Sequence, residues 1–363
     1  MSQNLAAFTP IKYSLKLVEL LYNDTIYTSI TNTDYEGQIK DAGDRVRVRT
    51  AAKITLSAYT KGMTLVKQDL NPTSEDLIID QQHYFSFGVD DVDKMQNDID
   101  AINEYAMNTK RDMAELIDTD LLTYGRKNVN SANMIGTAYA TGTAAVAATT
   151  GVVTGTGTTW TAAMVGGIFT HNTHATSYLV VSRASNTSIT IVDLDGVAYT
   201  GGARADGAYS IAGATAIALT KSNVYQYIVA LRTALGKSLA HKKDRFLVVN
   251  SQFEGLLLQA PEFIPAVQTA YNDVVKNGLI GKIAGFEVFT SELVSGDNTT
   301  GYWFLAGNKS FMSFAAQIMK TAVVPSEADP NSFVSTCKGL LVYGRKVFAG
   351  TRAHGAVLRA TLA

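Results

Sequence analysis

The chain has 363 residues, enough for two or three structural units. Its hydrophobic fraction of 46% with 17% charged residues is that of a globular protein, and a net charge of −1 excludes a global attraction to nucleic acid or anionic membrane, though not a local basic patch. One cysteine, Cys337, excludes an internal disulfide framework and fits a reducing compartment; no signal peptide is expected, and no run of about 18 apolar residues is present to cross a membrane.

Residues 1–35 read as an arm. The segment LKLVELLYNDTIY suits a short helix, but its apolar residues are too dense for a free surface. It is expected to lie on its own domain or on a neighbouring subunit, the plainer alternative being a poorly ordered terminus. Residues 36–89 read as an extended β excursion. In DRVRVRT, Arg45, Arg47 and Arg49 alternate with Val46 and Val48, giving one charged face. AAKITLSAYTKGMTLVKQDL and SEDLIIDQQHYFSFGV continue the strand pattern, with Lys61 and Lys67 near the tip. A lone two-stranded ribbon buries little and needs support from a sheet or another molecule. The arginine face reads as a solvated strand edge or, more sharply, as a surface meeting carboxylates of a neighbour.

From Asp90 to Lys127 one apolar stripe recurs at steps of three and four: Val92, Met95, Ile99, Ile102, Ala106, Met113, Leu116, Ile117 and Leu121. Acidic residues open it (Asp90, Asp91, Asp93) and Arg126 and Lys127 close it, as the helix dipole favours. The spacing predicts one helix of roughly 50 Å. Between Lys127 and Arg183 there is then no Asp, Glu, Lys or Arg. Short β-rich runs (YLVVS, SITIVD, AYSIA) separated by turn residues predict a small all-β unit over residues 143–213 with Trp160 and Phe169 in its core.

Helices and strands mix again from Thr220. SNVYQYIVALRTALG places Val224, Ile228, Leu231 and Leu235 on one helix face, with Ser222 as N-cap and Gly236 as stop. RFLVVN reads as a buried strand. SQFEGLLLQAP reads as a helix with Ser251 and Glu254 at capping-box spacing and an end at Pro261. PAVQTAYNDVVKNG reads as a helix, IGKIAGFEVFTS as a bend with a strand, YWFLAG as a strand and NKSFMSFAA as a short helical turn. The final segment reads as two or three strands.

No catalytic arrangement stands out. G-x-S-x-G, H-E-x-x-H and C-x-x-C are all missing from the sequence. Gly281-Lys282 resembles the end of a phosphate loop, but Ile283 replaces the Ser or Thr and Lys276 the first Gly. Gly155 and Gly157 lack the third glycine of a dinucleotide motif and read as turn residues. His171 and His174 have no nearby Cys or carboxylate to complete a metal site and read as a polar loop. Asp91, Asp93, Asp98 and Asp100 spread around a helix, and Cys337 reads as a small buried residue. No catalytic residue, metal or cofactor is therefore expected.

The order of parts (arm, β excursion, long helix, β insertion, α/β region, returning strands) resembles the major capsid proteins of tailed bacteriophages, with their Hong Kong 97-like α+β fold. RFLVVNSQFEGLLLQAPEFI is similar to that family's strand-then-helix segment, NGLIGKIAGFEVFTS to its bend, and QQHYFSFGVDDVDKMQ to the strand entering its spine helix. VTGTGTTWTAAMVGGIF and SNTSITI are similar to small β-domains appended to phage structural proteins.

The resemblance implies an N-terminal arm at 1–35, an extended loop at 36–89 and a peripheral domain at 90–142 with the spine helix at 90–127. An inserted domain at 143–213, an axial domain at 214–332 and returning strands at 333–363 would follow. It implies a non-enzymatic protein that self-assembles as pentamers and hexamers into an icosahedral head enclosing double-stranded DNA, located in the virion after assembly in the host bacterial cytoplasm. Its implied partners are further copies of itself, a portal protein, a decoration protein on the insertion and DNA contacted without sequence preference, with no membrane. A separate scaffolding protein is expected, because no long helical scaffolding segment precedes the arm. Arg45, Arg47, Arg49, Lys61 and Lys67 are the candidate inter-subunit contacts. Lys61 and Lys67 lie in the loop that bears the crosslinking lysine of some relatives, but no partner asparagine or assisting glutamate is matched. The competing readings are an encapsulin-like compartment shell, an α/β enzyme with a β lid and a surface adhesin. The last of these fits only residues 143–213.

Overall fold

The computed structural model describes residues 25–35, 45–52, 54–90, 101–173, 176–261, 281–324 and 334–362. The first part of the arm, the helix expected in PAVQTAYNDVVKNG, the acidic residues Asp91, Asp93, Asp98 and Asp100, and His174 lie outside the described residues. The body is a seven-stranded mixed sheet. Its order is Ile217–Leu219, Gly355–Leu362, Tyr302–Asn308, Arg245–Val249, Phe286–Thr290 and Lys282–Ile283, with Met134–Ile135 also paired to Gly355–Leu362. Arg245–Val249 is buried at every position, because helices cover both sheet faces and remove the usual in–out alternation.

Helix α1 is a single turn, Tyr27–Ile30, and α2 runs from Ala101 to Lys127. The 27 residues of α2 make it roughly 40 Å long. Ile117, Leu121 and Leu122 join the main core, and Gly125 lets α2 approach the sheet closely: a Cβ there would lie 2.9 Å from Leu305 Cδ2. Asp90 is not a helix-opening residue. It ends the strand Gln81–Asp90, whose partner Val334–Lys346 pairs with it from Val334↔Asp90 to Tyr343↔Gln81. With Ser313–Val324 these form a separate three-stranded sheet. The excursion is correspondingly shorter than the sequence suggests. Arg45–Thr50 pairs with Thr73–Ile78, but residues 51–52 and 54–72 form no strand, having no third strand or sheet face to pair with.

Helix α3, Val224–Lys237, buries Val224, Ile228, Leu231 and Leu235 completely. Its N-cap is Asn223, not Ser222, and the Asn223 side chain faces backward to accept from Thr220 N. Gly236 does not stop it; the chain leaves through Leu239 at φ +58°. Helix α4, Ser251–Leu258, is capped by Asn250, whose Oδ1 accepts from Phe253 N at 3.0 Å. Ser251 is thus the first helical residue, and Glu254 accepts from the Thr290 hydroxyl rather than closing a capping box. The helix ends three residues before Pro261. Phe253 packs on Phe304 with ring centroids 4.7 Å apart, fixing α4 on the sheet. NKSFMSFAA contains no helical turn: after a bend, Ser313 opens a strand, and Phe311, Met312 and Phe314 are buried.

Eight antiparallel strands between Thr137 and Thr215 form a second body with its own core. Trp160 and Phe169 are at 1% and 0% exposure. Trp160 Nε1 donates to the Tyr209 hydroxyl at 2.8 Å, which donates to Thr141 O. The two ends of this unit meet where it leaves the main sheet. A Cβ on Gly136 would lie 3.1 Å from Gly213 Cα, and Gly213 has φ +63°.

Candidate assembly surfaces

The ribbon stands on a small core in which Leu77, Ile79, Ala315, Val342 and Phe348 are buried and Val46 and Val48 pack against them. Its charged face is answered within the ribbon. Arg47 donates Nε and Nη2 to the two Asp76 oxygens at 2.8 and 3.0 Å, and Arg45 Nη1 lies 3.9 Å from Asp76. The Asp76 carboxyl is held below its usual range chiefly by the Arg47 hydrogen bond. Arg49, further out, is exposed.

Beyond the ribbon the two limbs touch through side chains: Thr55 N donates to Gln68 Oε1, and Gln68 Nε2 donates to Thr55 O. A turn at Lys61–Gly62 forms the tip, with Gly62 at φ +89°; both Lys61 and Lys67 are exposed. Between them the loop shows Leu56, Leu65 and Val66 at 94%, 73% and 88% exposure, beside Ile54, Tyr59 and Leu70. Scattered exposed apolar residues are ordinary, but this many on one strandless loop form a patch that marks an interaction site. The three-stranded sheet carries a second apolar surface. A groove there is lined by Tyr84, Phe85, Ala322, Gly339 and Leu340, and Tyr84 is 83% exposed. Gly339 is required at its floor, because a Cβ would overlap the Phe85 ring.

Three buried or half-buried polar junctions tie the parts together, and none was visible in the sequence because their members are far apart in it. In the first, Asp118 accepts from Ile26 N and Tyr27 N at 3.0 and 2.9 Å, holding the arm to α2. Burial pushes its carboxyl up to about 6, against the two N–H bonds that favour the anion. In the second, Asp120 on α2 pairs with Arg345 and accepts from the Tyr343 hydroxyl, while the Arg345 guanidinium lies 4.6 Å from the Tyr124 ring centroid. In the third, the Trp303 ring is contacted by two guanidinium groups, Arg126 at 5.0 Å and Arg359 at 4.5 Å. Arg359, 1% exposed, donates to the carbonyls of Gly213, Ala214 and Thr300, which locks the insertion to the sheet. Burial lowers both guanidinium groups to about 10, for Arg359 with a second contribution from Arg126, and both stay charged at neutral pH.

His171 is not on a polar loop. It ends the strand Ile168–His171 at 1% exposure, its Nε2 donating to Ala144 O and its Nδ1 meeting Thr173. Both ring nitrogens are engaged by the chain, and no metal-binding group of His, Cys, Asp or Glu occurs among the described residues. Cys337 is buried within the strand Val334–Lys346. Lys282 lies in a two-residue strand of a hairpin, not at the start of a helix as a phosphate loop requires.

The assembled geometry is that of known capsid proteins. Residues 182–358 match the phage capsid protein family. Over that span the chain is similar to phage capsid proteins in sequence. The capsid fold extends over the whole chain. A structure of Mycobacterium phage Che8 superposes with a TM-score of 0.65 at 17% identity, covering 97% of each chain. The capsid of cyanophage P-SCSP1u superposes at 0.62 with 11% identity, covering 100% of this chain and 96% of that chain. The mature capsid of bacteriophage PhiM1 gives 0.54 at 12% identity, covering 95% and 92%. A search of the curated proteins gave no match.

Proposed function

We propose that this chain is the major shell subunit, assembling as pentamers and hexamers into the icosahedral head that encloses double-stranded phage DNA. The observation that carries the reading is the loop at 51–72, where Leu56, Leu65 and Val66 are exposed and find no cover among the described residues. Hydrophobic burial against another copy supplies what the loop lacks, and obligate interfaces of this type exceed about 2,000 Å². Arg49, Lys61 and Lys67 are the cations of this surface that contact a neighbour, while Arg45 and Arg47 are held by Asp76.

On this reading the all-β insertion is an outward knob and a place for a decoration protein. The sheet of Arg245–Val249 with α3 and α4 forms the axial region, and α2 with the three-stranded sheet forms the peripheral one. A scaffolding protein and a portal protein complete assembly in the bacterial host cytoplasm, and the role is structural, without catalysis. Negative-stain microscopy of the chain expressed alone and with its genomic neighbours tests this. Closed shells tens of nanometres across are expected, with DNA inside when packaging proteins are present. Monomers or small oligomers in every condition would overturn the reading, and shells filled with a cargo protein would reassign it to a cellular compartment.

A further inference from the structure

The strand Gly355–Leu362 has chemically opposite surroundings at its two ends, roughly 23 Å apart. Near Arg359 and Leu362 the insertion is attached, entered through a stretch with no charged residue between Lys127 and Arg183. Near Gly355 the chain turns through Ser238–Asp244 and Lys309–Ser310, and this end is crowded with cations.

The turn at 238–244 is built rather than loose. Arg245, 6% exposed, donates Nε to His241 O and Nη2 to Ala240 O, both at 2.8 Å. Asn308 Nδ2 donates to Lys243 O, and Lys309 N donates to Asp244 O at 3.2 Å. Leu239 and Asp244 adopt φ of +58° and +54°, conformations that non-glycine residues adopt only when the surroundings hold them there. The effort fixes His241, Lys242 and Lys243 outward beside Lys309, with Arg232 and Lys237 on the adjoining last turns of α3, all exposed. Among the described residues none of Arg232, Lys237, Lys242, Lys243 and Lys309 makes an ion pair. The groups crowd one another: the His354 ring is held below its ordinary value by burial and then by His241, whose ring is 6.4 Å away. Arg245 is likewise lowered by burial and then by Arg232.

A chain of net charge −1 that concentrates unpaired cations on one rigid turn presents a site for a polyanion. We propose that this face contacts the phosphodiester backbone of double-stranded nucleic acid without reading its sequence. The lysines are point charges suited to phosphates, and the turn SLAHKKD has no Asn, Gln or Arg whose amide or guanidinium fork would read base edges. The assignment rests on the reading of the chain as the shell around packaged DNA.

The test uses the full-length chain, kept unassembled, with short duplexes of two unrelated sequences across a salt series. Each phosphate contact adds about 0.9 to the slope of log affinity against log salt, so Lys242→Ala/Lys243→Ala/Lys309→Ala should flatten that slope by roughly 2 to 3. Both sequences should be weakened equally, and the variant should still form shells by negative-stain microscopy. An unchanged slope in the folded variant, or no duplex binding by the parent chain, would overturn the proposal. Loss of shells with duplex binding retained would also overturn it, and would assign the cations to carboxylates of another copy. Failure of the parent to form shells, with duplex binding still dependent on these lysines, would contradict the shell reading alone.

Discussion

The insertion at 137–215 and the loop at 45–80 are both β-rich excursions from the same body, yet they solve the burial problem in opposite ways. The insertion closes eight strands over Trp160, Phe169, Ile189, Ile191 and Ile211, all nearly inaccessible. The loop has two paired strands at its base and above them leaves Leu56, Leu65 and Val66 in water. An element with its own core is complete in one chain. On the proposed shell reading, an element without one is half of an interface, and another copy supplies the surface that covers it.

The largest effect expected from this contrast is on assembly. Leu56→Ser/Leu65→Ser/Val66→Ser should leave the isolated chain's stability within about 0.5 kcal/mol, since these side chains bury nothing there, and should abolish shells in negative stain. Joining Gly136 to Ala216, whose neighbouring residues already touch, should remove the insertion and leave shells in place. Complete loss of folding in that variant, measured by circular dichroism, would show that the insertion is not independent. A milder version is Trp160→Ala, expected to destabilise the insertion by about 3–5 kcal/mol while shells still form, as read by thermal melts and microscopy.

Smaller again is the arm's attachment. Asp118 has a folded value of about 6 against an ordinary 3.8, so the native state binds a proton more readily than the unfolded chain. Stability should therefore fall as pH rises from about 4 through about 6, with the full cost present above that window. Asp118→Asn should remove this slope from chemical denaturation series, and retention of the slope would assign it to another group. The smallest effect is expected from Arg47→Ala, because the pair with Asp76 is solvated; its thermal midpoint should be almost unchanged.

How much of this was legible in the sequence depended on the range of the interactions. The burial of Ile117 and Leu121 on α2, of the apolar face of α3 and of Trp160 was legible in short-range periodicity and local β pattern, whereas Val92, Met95 and Ile99 of the same stripe lie outside the described residues. Cap positions slipped by one residue at Asn223 and Asn250, because Ser222 and Ser251 are equally competent caps; a local bond from Thr220 N engages Asn223, and the distant Glu292 engages Ser251. The strand pattern at 51–72 was misleading, since alternation signals a strand only where something pairs with it. Asp120 with Arg345, and Arg359 with Gly213, are separated by more than a hundred residues and gave no local signal. Each looked like an ordinary surface charge on a helix or strand.

Hydrogen exchange on the loop and the insertion, compared between the unassembled chain and purified shells, tests the central contrast most directly. Amides of residues 51–72 should exchange freely in the unassembled chain and become protected in shells, whereas the insertion's strand amides should be protected equally in both. Protection of the loop in the isolated chain, or no gain in its protection on assembly, would contradict it.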